Sequence, residues 1–206
     1  MDHRELAARV AIGRRMISLE DSLLVTQERL ERLATYDGLT GLLNRQAVME
    51  RAETELARAR RTRTSVGAIM IDVDHFKRVN DGRGHLQGDR VLVAIAQILT
   101  DQVRPYDLVG RWGGEEFLVV LPDARPQDAQ LVAERVRRTI AESEIALDGG
   151  ESIHVQVSAG VAARVPDGSP IDSLIKEADD ALYEANRNGR NQVLMASQSG
   201  LVERSA

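Results

Sequence analysis

Acidic residues form two short clusters in the sequence, and their spacing suits metal and phosphate chemistry. Asp72 and Asp74 end an apolar run, and Glu115 and Glu116 follow the pair Gly113-Gly114. Adjacent acids at a tight turn repel each other unless a cation or hydrogen-bond donors offset the repulsion. Carboxylate oxygens from a strand end and a hairpin are suitable ligands for Mg²⁺ when phosphate oxygens complete the coordination shell. We expect only one acid of the first pair to face this site.

A third cluster has residue types that can recognise a nucleobase. The segment from Asn80-Asp81-Gly82 to Gly88-Asp89 is rich in glycine and is predicted to be a loop that leads into a helix. A carboxylate and an amide can read a purine, because the carboxylate accepts hydrogen bonds from the ring N–H and amino group of guanine. Each cluster alone also fits an ordinary solvated acidic turn.

The composition is that of one globular domain with an appendage. The chain has 206 residues, of which 43% are hydrophobic and 29% are charged. It has no cysteine, which excludes disulfides, thiolate catalysis and cysteine-ligated zinc. Its apolar runs are far shorter than the ~18 residues that span a bilayer, and no secretion leader is recognisable, so we expect a cytoplasmic protein. A net charge of −5 with one Trp, three Tyr and two Phe argues against nucleic-acid binding.

Residues 1–36 are predicted to be a helical stalk. Apolar positions recur there at alternating spacings of four and three, namely Ile12, Met16, Leu19, Leu23, Thr26, Leu30 and Leu33. A seven-residue repeat favours winding around a second copy, so the stalk is predicted to be a coiled coil that makes the protein a homodimer. The alternative is a helix that packs on its own domain. In the coiled coil, Thr26 weakens the pairing of the two helices.

The rest of the chain alternates between strands and helices, with a domain expected at 37–196 and a loose tail at 197–206. Helices are predicted at 47–60, 86–103, 126–140 and 171–186, and strands at 66–72, 107–112, 116–121, 153–162 and 191–195. Asp37 or Thr40 is expected to cap the first helix, and Gly113-Gly114 to form a hairpin turn. The core order β-α-β-β-α-β predicts an α/β (α+β), ferredoxin-like domain with a central, mainly antiparallel sheet.

Several ordered segments together resemble the GGDEF family of diguanylate cyclases. They lie between about Asp37 and Met195 and read DGLTGLLNR, DVDHFKRVND, GHLQGD, RWGGEEF, SAGV and ADDALYEANRNGRN. The resemblance implies a fold similar to nucleotidyl cyclases and polymerase palms. It also implies an enzyme that condenses two GTP into cyclic di-GMP with release of two pyrophosphates.

The resemblance implies roles for the two acidic clusters. Asp72, the Val73 carbonyl and Glu115 are expected to bind Mg²⁺ (or Mn²⁺). Glu115, or alternatively Glu116, is expected to help deprotonate the attacking ribose 3′-hydroxyl. Two metal ions at such a site lower the pKa of that hydroxyl and neutralise the leaving pyrophosphate.

The resemblance also implies a substrate-binding set. Asn80 and Asp89 resemble the residues that read guanine, and Asp89 favours GTP over ATP. Lys77 is expected to contact phosphate and to stabilise the developing charge. The remaining members of the set are Phe76, Gly114 and Arg190, of which the arginine matches a triphosphate contact.

One position departs from the family pattern. The family usually has a lysine four residues before the position of Arg190, and this chain has Asn186. A neutral amide lacks a charge-assisted phosphate bond worth ~1.5–3 kcal/mol, so we expect weaker GTP binding. The neighbouring Arg187 is an alternative phosphate contact, although it leaves the helix at a different angle.

A regulatory site is also expected. Arg104-Pro105-Tyr106-Asp107 lies at the offset of the family's RxxD site, where the bound product inhibits the enzyme. The arginine can fork onto phosphate or guanine, and the aspartate can accept from the guanine edge. Arg135 is a possible secondary arginine of this site. The alternative reading of the motif is an ordinary surface ion pair.

Catalysis of this kind requires two copies of the domain, because each binds one GTP and the product contains two guanylyl units. Two rival functions use the same sequence. One is a non-catalytic receptor that binds cyclic di-GMP through Arg104 and Asp107, and the other is a structural dimerisation module. Intact Asp72, Glu115 and Lys77 argue against the receptor, which needs none of them, and a structural module would not explain the two acidic clusters. Finally, Asp37 and Arg45 are expected to form an ion pair where the stalk meets the domain.

Overall fold

The computed structural model describes residue 30 and residues 32–197. The chain divides into two compact units, Met1–Tyr36 and Asp37–Ala206. In the first unit, Leu30 and residues 32–35 are helical. The rest of the predicted coiled-coil seam, from Ile12 to Thr26, and the tail from residue 198 onward lie outside the described residues.

The second unit is an α+β domain built on a five-stranded sheet. Its elements are α1 (Arg45–Thr62), β1 (Val66–Val73), α2 (Phe76–Arg83), α3 (His85–Gln102), β2 (Leu108–Gly113), β3 (Glu116–Pro122), α4 (Pro126–Glu142), β4 (Ile145–Ala146), a 3₁₀ turn (Asp148–Gly150), β5 (Ser152–Ile153), β6 (Val157–Arg164), α5 (Ile171–Arg187) and β7 (Val193–Met195). The strand order is β2-β3-β1-β6-β7, and only the β6–β7 pair of this sheet is parallel. The predicted fold class is confirmed.

Strand β1 lies at the centre of the sheet and is covered on both faces. Ile69 and Ile71 pack with residues of α2, α3 and α4, whereas Ala68 and Met70 pack with residues of α1 and α5. Burial on two faces explains why β1 is a continuous apolar run rather than an alternating one. Asp72 continues the α1 and α5 side of this alternation, so its carboxyl lies beside α5.

Helix α5 approaches strand β6 closely because residue 160 is a glycine. A Cβ atom at Gly160 would lie 2.0 Å from the carbonyl oxygen of Ala178 and 2.2 Å from the backbone nitrogen of Leu182. Both are backbone atoms of α5 and cannot move aside independently of the helix. The missing side chain therefore sets the distance between α5 and the sheet, and with it the position of the last turn of α5 near the end of β1.

Two predicted elements differ in the structure. Residues 80–82 belong to helix α2 and not to a loop, because Phe76 and Val79 anchor one face of that helix in the core. Gly84, with φ of 83°, separates α2 from α3. The predicted strand 153–162 is interrupted, since β5 pairs with β4 in a separate small sheet. Val155 stays buried across the interruption, so the apolar alternation continues and conceals it.

The predicted cap of the first helix was also wrong. The N-cap of α1 is Asn44, whose side chain accepts a hydrogen bond from the backbone of Ala47 at 2.9 Å. Asp37 and Thr40 instead close their own turn, in which the carboxylate accepts from the Thr40 backbone at 2.8 Å and from its hydroxyl at 2.7 Å. The cap therefore lies four to seven residues later than expected.

Candidate active site

The pairing of β1 with β3 brings the two acidic clusters together. Asp72 lies directly opposite Glu116 in the ladder, and the backbone N–H of Val73 donates to the carbonyl of Glu115 at 3.4 Å. Residues that are opposite each other in an antiparallel pair project from the same face. The tight turn consists of Gly114 and Glu115, one residue later than predicted, so that Glu115 lies at the tip of the hairpin.

Burial, followed by repulsion from Glu115, Glu116 and Asp74, raises the pKa of Asp72 to about 6. A hydrogen bond from Asn186 acts in the opposite direction. This end of the sheet therefore carries more negative charge than its surroundings neutralise, which is the electrostatic condition for binding a cation.

The pKa of Glu116 is also raised, by burial and then by the nearby carboxylates of Asp179 and Glu115. The charge of Arg45 partly opposes this shift. Asp179 belongs to α5, so the negative cluster receives members from both strands and from a helix.

Asp74 differs from these partly buried acids in having its whole carboxylate enclosed. It is only 6% exposed, and its two oxygens accept from the Ser158 hydroxyl at 2.7 Å and from the backbone N–H of Asn191 at 2.9 Å. Both oxygens therefore have internal partners. Of the first acidic pair, Asp72 is the one left at the site, as expected.

Arg111 ties the hairpin tip to the start of the domain. Its guanidinium donates to the carbonyl of Gly114 at 2.7 and 3.0 Å and pairs with Asp37 at 3.2 Å. Burial alone would raise the pKa of Asp37. Hydrogen bonds from Thr40 and the charge of Arg111 outweigh burial and hold this pKa below its usual value. The predicted Asp37–Arg45 ion pair was wrong, because Arg45 stacks over the ring of Trp112 at 4.3 Å.

Helices α2 and α3 bring the two expected guanine readers close together. A Cβ atom at Gly88 would lie 2.0 Å from Oδ1 of Asn80, so only a glycine allows this amide to lie against α3 just before Asp89. Phe76 is buried in the core and its ring also reaches Gly88, which makes its described contacts those of a packing residue. Lys77 is exposed in the first turn of α2.

The end of α5 reaches the acidic cluster through Asn186. Its side-chain N–H donates to Oδ2 of Asp72 at 3.2 Å, while its own Oδ1 is buried without a hydrogen-bond partner. Arg187 projects elsewhere, since it contacts Glu184 at 3.4 Å and the ring of Tyr183 at 5.7 Å. Arg190 follows the helix, is exposed, and has φ of 65°.

The RxxD segment forms a compact turn in which Arg104 and Asp107 are held together. The backbone N–H of Arg104 donates to Oδ2 of Asp107 at 2.7 Å, and Oδ1 of Asp107 is buried without a partner. Burial raises the pKa of Asp107, whereas the Arg104 backbone and the charges of Arg104 and Arg135 oppose the shift. The Arg104 side chain donates to the Tyr106 hydroxyl at 3.0 Å, and Arg135 donates to the carbonyl of Gln102.

Comparison with known proteins relates this geometry to a family. The family model described as "Diguanylate cyclase, GGDEF domain" matches residues 34–192. The chain belongs to the GGDEF family of diguanylate cyclases. It is 38% identical to the response regulator PleD of Caulobacter vibrioides over 195 residues, which cover 94% of this chain and 43% of PleD.

Other members of the GGDEF family are similar in sequence or structure. The diguanylate cyclase DosC of Escherichia coli is 41% identical over 158 residues, which are 76% of this chain and 34% of DosC. The coiled coil and GGDEF domain of DgcB from Caulobacter crescentus, solved in complex with c-di-GMP, superposes with a TM-score of 0.81 and 31% identity and covers 93% of this chain and 99% of that one. This chain spans less than half the length of the curated relatives it matches.

Three further features of the described residues concern metal-binding groups, cavities and membrane-spanning helices. Within the described residues, no three His, Cys, Asp or Glu side chains form a group that could hold a metal ion. A cavity of about 650 Å³ between α2, α3 and the small sheet is lined by Arg78, Arg83, Asp148 and Glu151 among others, and by none of the predicted site residues. No helix in the described part of the chain is long and apolar enough to cross a membrane.

Three residues beside the acidic cluster were not predicted from the sequence. Arg111 and Asp179 lie within the quoted motifs, but their partners Asp37 and Glu116 are more than sixty residues away. Asn191 follows Arg190 directly and reaches Asp74 through its backbone. The charges of Arg111 and Asp179, and the turn-forming residues around Asn191, are visible in the sequence and mark these three residues as candidates. The sequence does not show which residues they meet in the fold.

The raised pKa of Asp72 predicts a pH-dependent stability. Its folded-state pKa of about 6 lies above the usual 3.8, so the folded protein binds this proton more tightly than the unfolded chain, and ionisation destabilises the fold as pH rises from about 4 to 6. The difference between the folded and usual pKa values corresponds to about 3 kcal/mol in the free energy of unfolding. Partial exposure of Asp72 to solvent reduces this figure to ~1–2 kcal/mol. Asp72→Asn is therefore expected to unfold at higher urea than the wild type at pH 8 in EDTA, with the gain fading toward pH 4.

The matched control is Asp81→Asn, which changes an exposed acid on α2. Its unfolding midpoint should follow the wild type at both pH values. An Asp72→Asn variant no more stable than the wild type at pH 8 would contradict the electrostatic account of the cluster.

Proposed function

We propose that this GGDEF domain condenses two GTP into cyclic di-GMP and two pyrophosphates. The observation that carries the proposal is the convergence of Asp72, the Val73 backbone and Glu115 at the joined ends of β1 and β3. Asn186 extends this group to the end of α5, where the segment that carries Arg190 begins. Relatives named as diguanylate cyclases, and a similar domain solved with c-di-GMP, support the same activity.

The donor set fits Mg²⁺ or Mn²⁺. Asp72, Glu115 and the Val73 carbonyl provide hard oxygen ligands, and the pKa of Asp72 is raised first by burial and then by repulsion from neighbouring carboxyls, which a cation would relieve. Two carboxylates and one carbonyl leave coordination positions for phosphate oxygens of the nucleotide. When bound, the metal supplies Lewis-acid polarisation of the α-phosphate and of the attacking hydroxyl.

The substrate is proposed to bind between α2, α3 and the end of α5. Asn80 lies against Gly88, the residue that precedes Asp89, and the two side chains have the acceptors and donors to read guanine. Lys77 and Arg190 are both exposed, and the described residues give their side chains no ion pair, so both are available for phosphate. Gly114 leaves the hairpin tip open to a ligand, since no atom lies within 4 Å of the place where a Cβ would be.

The reaction is two identical nucleotidyl transfers. The 3′-oxygen of one GTP forms a bond to the α-phosphorus of the other, and the bond between the α-phosphorus and its bridging oxygen to the β-phosphate breaks. Glu115, with Glu116 as the alternative, accepts the hydroxyl proton. Lys77 stabilises the negative charge that develops on the phosphate oxygens. Repetition in the opposite direction closes the ring and releases the second pyrophosphate.

Both transfers require two domains face to face, so we propose a homodimer joined by the stalk at 1–36, with the catalytic domain at 37–196. The seam positions Leu30 and Leu33 are 61% and 63% exposed, which leaves them available to a second helix. A coiled coil of two stalks would raise the effective concentration of the domains to about the millimolar range without adding contacts at the site.

Glu115→Gln is expected to lower the rate of cyclic di-GMP formation from GTP and Mg²⁺ by at least about 100-fold. The change removes a metal ligand and the proposed proton acceptor while keeping the size of the side chain. Nucleotide chromatography measures the product directly. The matched control is Glu53→Gln on the exposed face of α1, which should retain the wild-type rate.

Two outcomes would count against the enzyme. Undiminished turnover in Glu115→Gln would show that the acidic cluster is not the catalytic site. Absence of product from the wild type at micromolar concentration, together with tight cyclic di-GMP binding, would identify a receptor instead.

Asn186→Lys is expected to lower the KM for GTP by about tenfold, because it adds a charge-assisted phosphate contact at the position where this chain has an amide. Arg187 does not supply this charge, since it is engaged with Glu184 and Tyr183. Arg187→Met is therefore the control, and its KM should equal that of the wild type. A KM that is unchanged by Asn186→Lys would place the triphosphate away from the end of α5.

We further propose that Arg104 and Asp107 bind the product and inhibit the enzyme. The buried, partnerless Oδ1 of Asp107 is an acceptor suited to a guanine N–H, and Tyr106 holds the Arg104 guanidinium beside it. Arg135 is the secondary arginine.

Arg104→Ala should raise the inhibition constant for cyclic di-GMP by about 10- to 100-fold with little change in initial rate, because a charge-assisted contact is lost outside the catalytic site. Arg51→Ala, an exposed arginine on α1, serves as the control. Inhibition that is equally strong in Arg104→Ala would exclude this segment as the product site.

A further inference from the structure

The segment that carries Arg190 has an unusual backbone. Gly189, Arg190 and Asn191 have φ values of 108°, 65° and 46°, so three successive residues occupy the left-handed region. Two of them are not glycine, and such residues persist there only when surrounding contacts hold them. The backbone N–H of Arg190 donates to the carbonyl of Ala185 at 3.1 Å and so closes the end of α5. This bond does not account for the left-handed backbone of Asn191.

Asn191 is held from two other elements. Its backbone N–H donates to the buried Asp74 carboxylate at 2.9 Å, and its side-chain oxygen accepts from Nη1 of Arg137 on α4 at 2.7 Å. Asp74 is in turn fixed by the hydroxyl of Ser158, which is completely buried. The three contacts connect α4, the end of β1 and β6 to the residue that follows Arg190.

Arg137 is itself oriented before it reaches Asn191. Glu134, one turn earlier on α4, accepts from Nη2 at 2.7 Å and from Nε at 2.9 Å, which leaves Nη1 directed to Asn191. Such a two-point pairing fixes the plane of a guanidinium. The Arg137 side chain is 17% exposed, whereas that of Arg138, which shares the same glutamate, is 65% exposed.

We propose that Arg137 is a positioning residue for the nucleotide site: it locks Asn191, and thereby holds the strained backbone in the conformation that directs Arg190 toward the triphosphate. The proposal rests on the proposed function, because it takes phosphate as the partner of Arg190. Arg137 lies on α4, whereas Arg190 follows α5, and in this proposal Arg137 does not contact the substrate. Asp74, the second acid of the first cluster, helps to hold Asn191 by accepting a hydrogen bond from its backbone N–H.

The test compares nucleotide affinity in Arg137→Met and Arg138→Met. Both variants remove a guanidinium that pairs with Glu134, but only the first removes a contact to Asn191. The probe is the α,β-methylene analogue of GTP, which cannot release pyrophosphate, and its dissociation constant is measured by calorimetry with the full chain in Mg²⁺. Thermal unfolding of each variant is recorded alongside.

Arg137→Met is expected to bind the analogue about five- to tenfold more weakly, and Arg138→Met as tightly as the wild type. In an Arg190→Ala background, Arg137→Met should cause no further loss, because residues that act through one contact are not additive. Asn191→Gly provides a second variant: glycine keeps the left-handed backbone and removes the acceptor, so it should reproduce the loss and the non-additivity.

Unchanged affinity in both Arg137→Met and Asn191→Gly would overturn the proposal. An equal loss in the presence and absence of Arg190 would do the same, since it would show a general structural effect. The comparison is made on binding, so a wild-type chain that binds the analogue but forms no cyclic di-GMP would contradict the proposed activity alone.

Discussion

The antiparallel pairing of β1 with β3 determines where the acidic side chains lie. Backbone hydrogen bonds and burial on both faces fix the register, and in that register Asp72 lies opposite Glu116 while Val73 is bonded to Glu115. A shift by one residue would exchange the side chains of β1 between its two differently packed faces, so the strand cannot relieve the repulsion by sliding. Burial and this repulsion together keep the pKa values of Asp72 and Glu116 raised, and in the proposed function a bound cation offsets both effects.

The fold could be predicted from the sequence wherever apolar periodicity and burial coincide. The run Val66–Asp72, the glycine hairpin and the stripe at Val91, Leu92 and Ile95 all correspond to observed elements. Prediction failed where local residue types oppose tertiary packing. Asn80-Asp81-Gly82 has the composition of a turn, yet it is helical because Phe76 and Val79 secure the preceding turn in the core.

The candidate site was predictable as a set of residues but not as a set of contacts. Motif order selected Asp72, Glu115, Asn80 and Asp89 as candidates, and their roles stay predictions, whereas charge type alone led to the wrong partner for Asp37. Arg45 and Arg111 are both arginines near the hairpin, and only the fold decides that Arg45 covers Trp112 while Arg111 joins Asp37 to the hairpin tip. The internal role of Asp74 depends in the same way on Ser158 and Asn191, which are 84 and 117 residues away.

The end of α5 shows how one small residue and one substitution affect the same site. Gly160 lets the helix backbone come close to β6, and this approach puts Asn186 within hydrogen-bond distance of Asp72. A lysine at that position would add a positive charge beside the carboxylates, whereas the amide donates a single hydrogen bond and leaves the charge of the cluster unchanged. Arg45 opposes the shift at Glu116, but the pKa of that group remains raised. The described side chains do not neutralise the acids, so under the proposed function we expect cation and nucleotide binding to be more strongly interdependent in this chain than in one that carries the lysine.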